Sequence, residues 1–473
     1  MAKAIRAREI SSVELMTQHI AWIAKVNPAI NAVVELLADS ALEAARQADA
    51  KLATGAPCGP LHGVPISIKD SIDVQGTKCT AGTLGRKHAT PAERDATLVE
   101  RLRAAGAIPL AKTNLPDLLW AFETDNFIYG RSNNPYDLAR TPGGSSGGES
   151  ALIAACGSPL GLGSDAAGSV RLPSAFCGIA GIKPTSGRLP RTGHVPPSGG
   201  WIEAIWQIGP MARYTEDLVL AMRLLAAEDD ADFTSPPVPL LPSELSRKTR
   251  IAFFTYNGFA RCSPEIEAAI YRCAAFLVRS GMNVEERTPP GLDQAYDLEM
   301  SLLGADGGQG IDDYLHEAGT AQVHPITLNG FLNRMRPYRA DACELAARWD
   351  QWDKYRAAMR RFFEQYDAII CPVYTQPALK HGDSVKPGNF EGFSYTMAWN
   401  VAGAPAATVR CAETHDGLPI NAQVVTKPWR DLLALDICQS LENEFGGWKA
   451  PRAIAAVPAI SREQTENQQA MAR

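Results

Sequence analysis

An α/β fold is what this sequence predicts, and three observations carry that reading. Helical apolar spacing alternates with short β-branched runs, turn residues stand at the changeovers, and the composition supplies a large buried core. Hydrophobic residues make up 45% and charged residues 21% of the 473 residues, with 39 glycines and 33 prolines. That is the balance of a globular enzyme rather than of a disordered or fibrous chain.

The elements follow in order. Ser11-Ser12-Val13-Glu14 reads as a capping box, and Leu15, Ile20 and Ile23 at helical spacing continue it to Pro28. A second helix is expected from about Asp39 to Leu52. The turn-rich segment Gly59 to Gly63 then gives way to Val64-Pro65-Ile66-Ser67-Ile68-Lys69-Asp70, which places Lys69 at the end of a strand. Leu98, Leu102 and Ala105 mark an amphipathic helix stopped by Gly106, and Ala107 to Ala111 reads as a buried strand. An acidic, then proline-rich stretch over 228–250 is the best linker, dividing two lobes of one enzyme rather than two independent domains. Beyond it come a strand over 251–255, a helix with Ser263 as N-cap, Pro264 in its first turn and Gly281 as its stop, and strands over 368–373 and 421–426. The expected organisation is a single domain over 1–460 followed by a polar tail over 461–473.

Composition also excludes functions. A net charge of −6 with scattered Lys and Arg leaves no electrostatic footprint for nucleic acid. The opening residues alternate charge with short apolar steps, so no signal peptide is expected, and no apolar stretch approaches the roughly 20 residues of a membrane span. The ten cysteines contain no Cys-x-x-Cys pair and read as buried thiols, with no disulfide and no zinc expected. The expected location is cytoplasmic.

Chemistry concentrates in two serine loops. Thr141-Pro142-Gly143-Gly144-Ser145-Ser146-Gly147-Gly148-Glu149 packs four glycines around two serines, which suits either a flexible linker or a backbone held close to a reacting group. Gly143-x-Ser145-x-Gly147 also matches the nucleophile elbow of α/β hydrolases, for which His194, His316, His324, His381 or His415 could serve as base. A second loop, Gly161-Leu162-Gly163-Ser164-Asp165-Ala166-Ala167-Gly168-Ser169-Val170-Arg171, stands 24 residues on and offers a serine behind small residues suited to an oxyanion hole. Gly161-x-Gly163-x-x-Ala166 fails as a dinucleotide fingerprint, because no acid lies about 20 residues on and Pro173 interrupts the helix. A P-loop fails too, since Glu149 and Ser150 follow the glycines where Lys and Ser/Thr are required.

Lys69, Ser145 and Ser169 in these three settings resemble, in order and in serine spacing, the amidase signature family. The resemblance continues through Cys177 to Thr185, Gly209 to Arg213, Asn400 to Ala406 and Lys427-Pro428. It implies a large mixed β-sheet covered by helices on both faces, and cleavage of an amide bond through an acyl-enzyme. It also implies the roles: Lys69 as a neutral base, Ser145 as a relay behind a cis peptide, and Ser169 as nucleophile. Ala166, Ala167 and Gly168 would form the oxyanion hole, with Ser146, Asp165 and Arg171 in support. This chain has Ala167-Gly168 where the family commonly has Gly-Gly.

Among family members the look is closest to fatty acid amide hydrolase-like enzymes, and the second half shows nothing of the amidotransferase glutaminase component. Leu119, Trp120 and Phe122 fall at positions that line the acyl pocket in those relatives; their other reading is core packing. The resemblance implies no cofactor and no metal. The partner it implies is a small-molecule amide, or a carbamate or ester cleaved by the same machinery, and it allows a homodimer. A silent, complex-forming protein is the rival from another class.

Overall fold

The computed structural model describes residues 1–196 and 201–455. The tail expected over 461–473 lies outside them. Eleven strands among the described residues form one sheet. They are β1 (Val33–Leu36), β2 (Pro65–Lys69), β3 (Ile108–Thr113), β4 (Leu160–Asp165), β5 (Ala180–Lys183), β6 (Gln207–Ala212), β7 (Arg250–Phe253), β8 (Asn283–Glu286), β9 (Ala368–Pro372), β10 (Ala406–Glu413) and β11 (Pro419–Thr426). Their order is β1-β3-β2-β4-β6-β5-β10-β11-β9-β7-β8. The sheet is mixed: β3, β2 and β4 run parallel, as do β9, β7 and β8, and the remaining neighbours are antiparallel.

Every residue of β2, β3, β4, β5, β6, β9 and β11 is buried. A strand buried without alternation must be covered on both faces, and helices supply that cover. Arg171–Phe176 and Asp431–Phe445, for example, both pack on β10 and β11. The outer strands β1 and β8 instead expose half or more of their residues, with Glu35, Glu285 and Glu286 discouraging further pairing.

The opening helix runs Ser12–Ile30, and Ser11 and Glu14 form the capping box. It passes Pro28 because a proline in the last turn costs only one backbone hydrogen bond. Asn31, in the left-handed region at φ 45°, ends it instead. The Asn27 side chain then accepts from the N–H groups of Ala32 and Val33, turning the chain into β1. Residues 226–249 carry no helix or strand and are pinned to the body. Asp232 accepts from the Arg191 N–H at 2.7 Å, and Arg188 donates to the Val238 carbonyl at 2.5 Å. After this segment β7 rejoins the same sheet beside β9.

Candidate active site

Lys69 is the last residue of β2 and is wholly buried. Its Nζ donates to Ser145 Oγ at 2.6 Å and to Ser164 Oγ at 3.1 Å. Burial drives the Lys69 ammonium well below its ordinary range, while the charges of Asp165 and Glu149 pull the other way. Desolvation wins, and the group is displaced towards the neutral amine that can accept a proton.

Residues 141–150 are buried throughout, so the glycine-rich segment is a packed loop and not a linker. The Gly144–Ser145 peptide is cis. Ser145 stands just ahead of the helix Gly147–Ala154. Ser146 ties the two serine loops together: its N–H donates to the Ser169 carbonyl at 3.1 Å, and its Oγ donates to the Ser164 carbonyl and accepts from the Ser164 N–H, each at 3.2 Å.

The second loop joins β4 to the helix Arg171–Phe176 and is braced by a buried ion pair. Arg171 meets Asp165 bidentately, Nε to Oδ2 and Nη2 to Oδ1, both at 2.9 Å. It reaches on to the Thr396 carbonyl, Gln423 Oε1 and Asn400 Oδ1 at 2.9, 2.8 and 2.5 Å. Burial alone would raise the Asp165 carboxyl, but the Arg171 charge and hydrogen bonds outweigh it and hold the group far below the usual carboxylate range.

Gly168 differs from its expected place in the oxyanion hole. Its N–H already donates to Asp165 Oδ1 at 2.8 Å. Its φ of +130° and a would-be Cβ only 2.3 Å from Thr396 Oγ1 make glycine necessary there for shape. Among the described residues, the N–H groups of Ala166, Ala167 and Ser169 have no protein acceptor, which leaves these three as candidate donors.

Ser145, Ser169, Ala166 and Ala167 line one narrow cleft, closed by Leu119, Trp120, Trp206, Leu303 and Phe331. Phe122 does not line it. That ring stacks on Phe393 with centroids 3.6 Å apart and packs behind Phe331, so its place is in the core. Trp206, Leu303 and Phe331 escaped sequence reasoning. Trp206 crosses Trp120 edge to face at 5.6 Å and sits just before β6, with the Arg191 guanidinium 5.0 Å above it.

No histidine among the described residues bonds to Ser145 or Ser169. Buried His194 contacts Ser71 Oγ and the Pro196 carbonyl at 3.3 and 3.2 Å, and burial, reinforced by Arg191, keeps it well below its ordinary range. The described residues contain no group of three or more His, Cys, Asp or Glu arranged to hold a metal ion, and no helix long and apolar enough to cross a membrane.

Comparison with known proteins gives the family. The Amidase family model matches residues 14–435. An indoleacetamide hydrolase of Bradyrhizobium diazoefficiens is 33% identical over 94% of this chain and 86% of its own length. A glutamyl-tRNA(Gln) amidotransferase component of Symbiobacterium thermophilum is 31% identical over 97% of both chains, which corrects the expectation that the second half is unlike that protein. The solved structure of a fatty acid amide hydrolase superposes with a TM-score of 0.85 at 25% identity, covering 94% of this chain and 84% of that one. The chain therefore belongs to the amidase signature family and is a hydrolase of amide C–N bonds.

Proposed function

We propose that Ser169 is the nucleophile, Ser145 the relay and Lys69 the base of an enzyme that prefers hydrophobic acyl or aryl amides. The observation that carries this reading is the 2.6 Å contact from Lys69 Nζ to Ser145 Oγ, with Ser145 and Ser169 opening on the same cleft. Neutral Lys69 takes the Ser145 hydroxyl proton as Ser145 takes that of Ser169. Ser169 Oγ bonds to the substrate carbonyl carbon, and the oxyanion is met by the N–H groups of Ala166, Ala167 and Ser169. The proton then returns through Ser145 to the amide nitrogen, the C–N bond breaks, and an amine leaves an acyl-enzyme. Water repeats the sequence, giving the acid and free Ser169.

The cleft lining supports the substrate class. Apart from the two serines it is aromatic and aliphatic and, among the described residues, contributes no charged side chain, which suits an apolar acyl or aryl group better than the charged backbone of glutamine. Relatives named for indoleacetamide and fatty-acid amides point the same way. The donors address only the carbonyl oxygen, so carbamates and esters are the second reading. Ten free thiols support a reducing, cytoplasmic setting.

A fluorophosphonate probe tests the assignment by intact-protein mass analysis. One adduct is expected on the unaltered protein and none on Ser169→Ala; an adduct on Ser169→Ala would overturn it.

A further inference from the structure

Beside Lys69 lies a wholly buried carboxyl that the mechanism above does not use. Glu149 sits in the first turn of the helix Gly147–Ala154, four residues after Ser145. Ser67 Oγ donates to one of its oxygens and Thr113 Oγ1 donates to the other at 2.7 Å. Ser67 and Lys69 are two apart on β2 and so share a face of the sheet, and Thr113 of β3 is the register partner of Lys69. The carboxyl thus bridges the strand that carries Lys69 and its neighbour. The sheet is shaped to admit it: Gly161, opposite Ser67 on β4, would with a Cβ stand 1.8 Å from Glu149 Oε1.

We propose that Glu149 is a positioning residue for the base, a buried counter-charge that sets the pH at which Lys69 gives up its proton. The inference rests on the relay reading above. Two carboxylates act on Lys69: Asp165 at the end of β4, and Glu149. Asp165 is matched by Arg171, whereas Glu149 is held only by neutral hydroxyls, so its charge is the one left uncompensated beside Lys69. His194 also feels Lys69, and its burial keeps it neutral. Burial pushes the Glu149 carboxyl up to about 7, against the two hydroxyls and Lys69, so it changes charge close to neutrality. A carboxylate there favours the ammonium form of Lys69, and the base is freed at a higher pH than burial alone would dictate.

The test is the pH dependence of kcat/KM for p-nitroacetanilide, and of fluorophosphonate labelling, with the full chain. In Glu149→Gln the acid limb moves to lower pH by roughly one unit or more. Ser67→Ala, which takes a donor from the carboxylate, moves it the same way by less. Slower turnover at every pH with the limb in place would show that Glu149 only packs, and would overturn the proposal. If Glu149→Gln does not fold, Ser67→Ala decides by the same criterion. Lys69→Ala separates the two failures: an inactive Lys69→Ala with unmoved limbs elsewhere sinks only the role of Glu149, whereas an active one sinks the relay itself.

Discussion

Replacing Lys69 by Ala examines the relay at its root. The bond from Lys69 Nζ is the only hydrogen bond of Ser145 Oγ with another side chain among the described residues, so the variant leaves that hydroxyl with no group to take its proton. A single general acid–base group is worth about 10²–10⁴ in rate. In the relay Lys69 acts twice on an amide, as base when Ser169 attacks and as the source of the proton that lets the amine leave. The expected loss on an anilide is therefore at or beyond the top of that range, about 10⁴ or some 5 kcal/mol of barrier. An ester of the same acid, whose alkoxide leaves more readily, should lose nearer 10². The pH dependence has a definite sign. Lys69 works only when neutral, and burial places its titration below that of an ordinary lysine, so kcat/KM rises with pH through one limb and then levels. The assay is kcat/KM for matched anilide and ester substrates across pH, for Lys69→Ala and for single alanine variants of His62, His194, His316, His324, His381 and His415. Near-normal anilide hydrolysis by Lys69→Ala, together with an inert histidine variant, would refute the reasoning and restore a Ser-His-Asp triad.

Asp165→Asn removes the carboxylate that balances buried Arg171 and should cost about 3–5 kcal/mol of stability, read by urea unfolding. Because the Asp165 carboxyl is depressed in the fold, its contribution is complete above the unfolded value near 4 and fades as pH falls through the folded value, so the variant's deficit should shrink in strong acid. Trp120→Ala and Trp206→Ala should reduce kcat/KM for bulky aryl amides about tenfold or more while sparing acetamide; equal loss on both would remove these rings from substrate selection.

The candidate site was legible because it lies in short local patterns. Lys69 closes a strand whose β-branched run is visible in the sequence, and the two serine loops announce themselves by their glycines. β4 escaped for the opposite reason: Leu160-Gly161-Leu162-Gly163 contains a residue depleted in strands, and the close approach of Glu149 and Ser67 to the first glycine and of Ser146 and Met211 to the second explains it. Gly168 looked like an oxyanion donor because composition does not show that Asp165 occupies its N–H. Trp206, Leu303 and Phe331 come from three distant segments that meet only in the folded chain, and no local spacing connects them to Leu119 and Trp120. Phe122 illustrates the converse, an aromatic next to pocket residues that turns into the core.

The brace on the second serine loop bears on when the enzyme comes into being. Arg171 holds Asp165, but its other partners are Thr396, Asn400 and Gln423, the last 252 residues further along. β5 likewise waits for β10 to pair with it in the middle of the sheet. A growing polypeptide on the ribosome thus carries Lys69, Ser145 and Ser169 long before it carries what fixes their geometry. Assembly that depends on such distant segments is slow, and a nascent or C-terminally truncated chain would hold all three proposed reacting groups and still be inert.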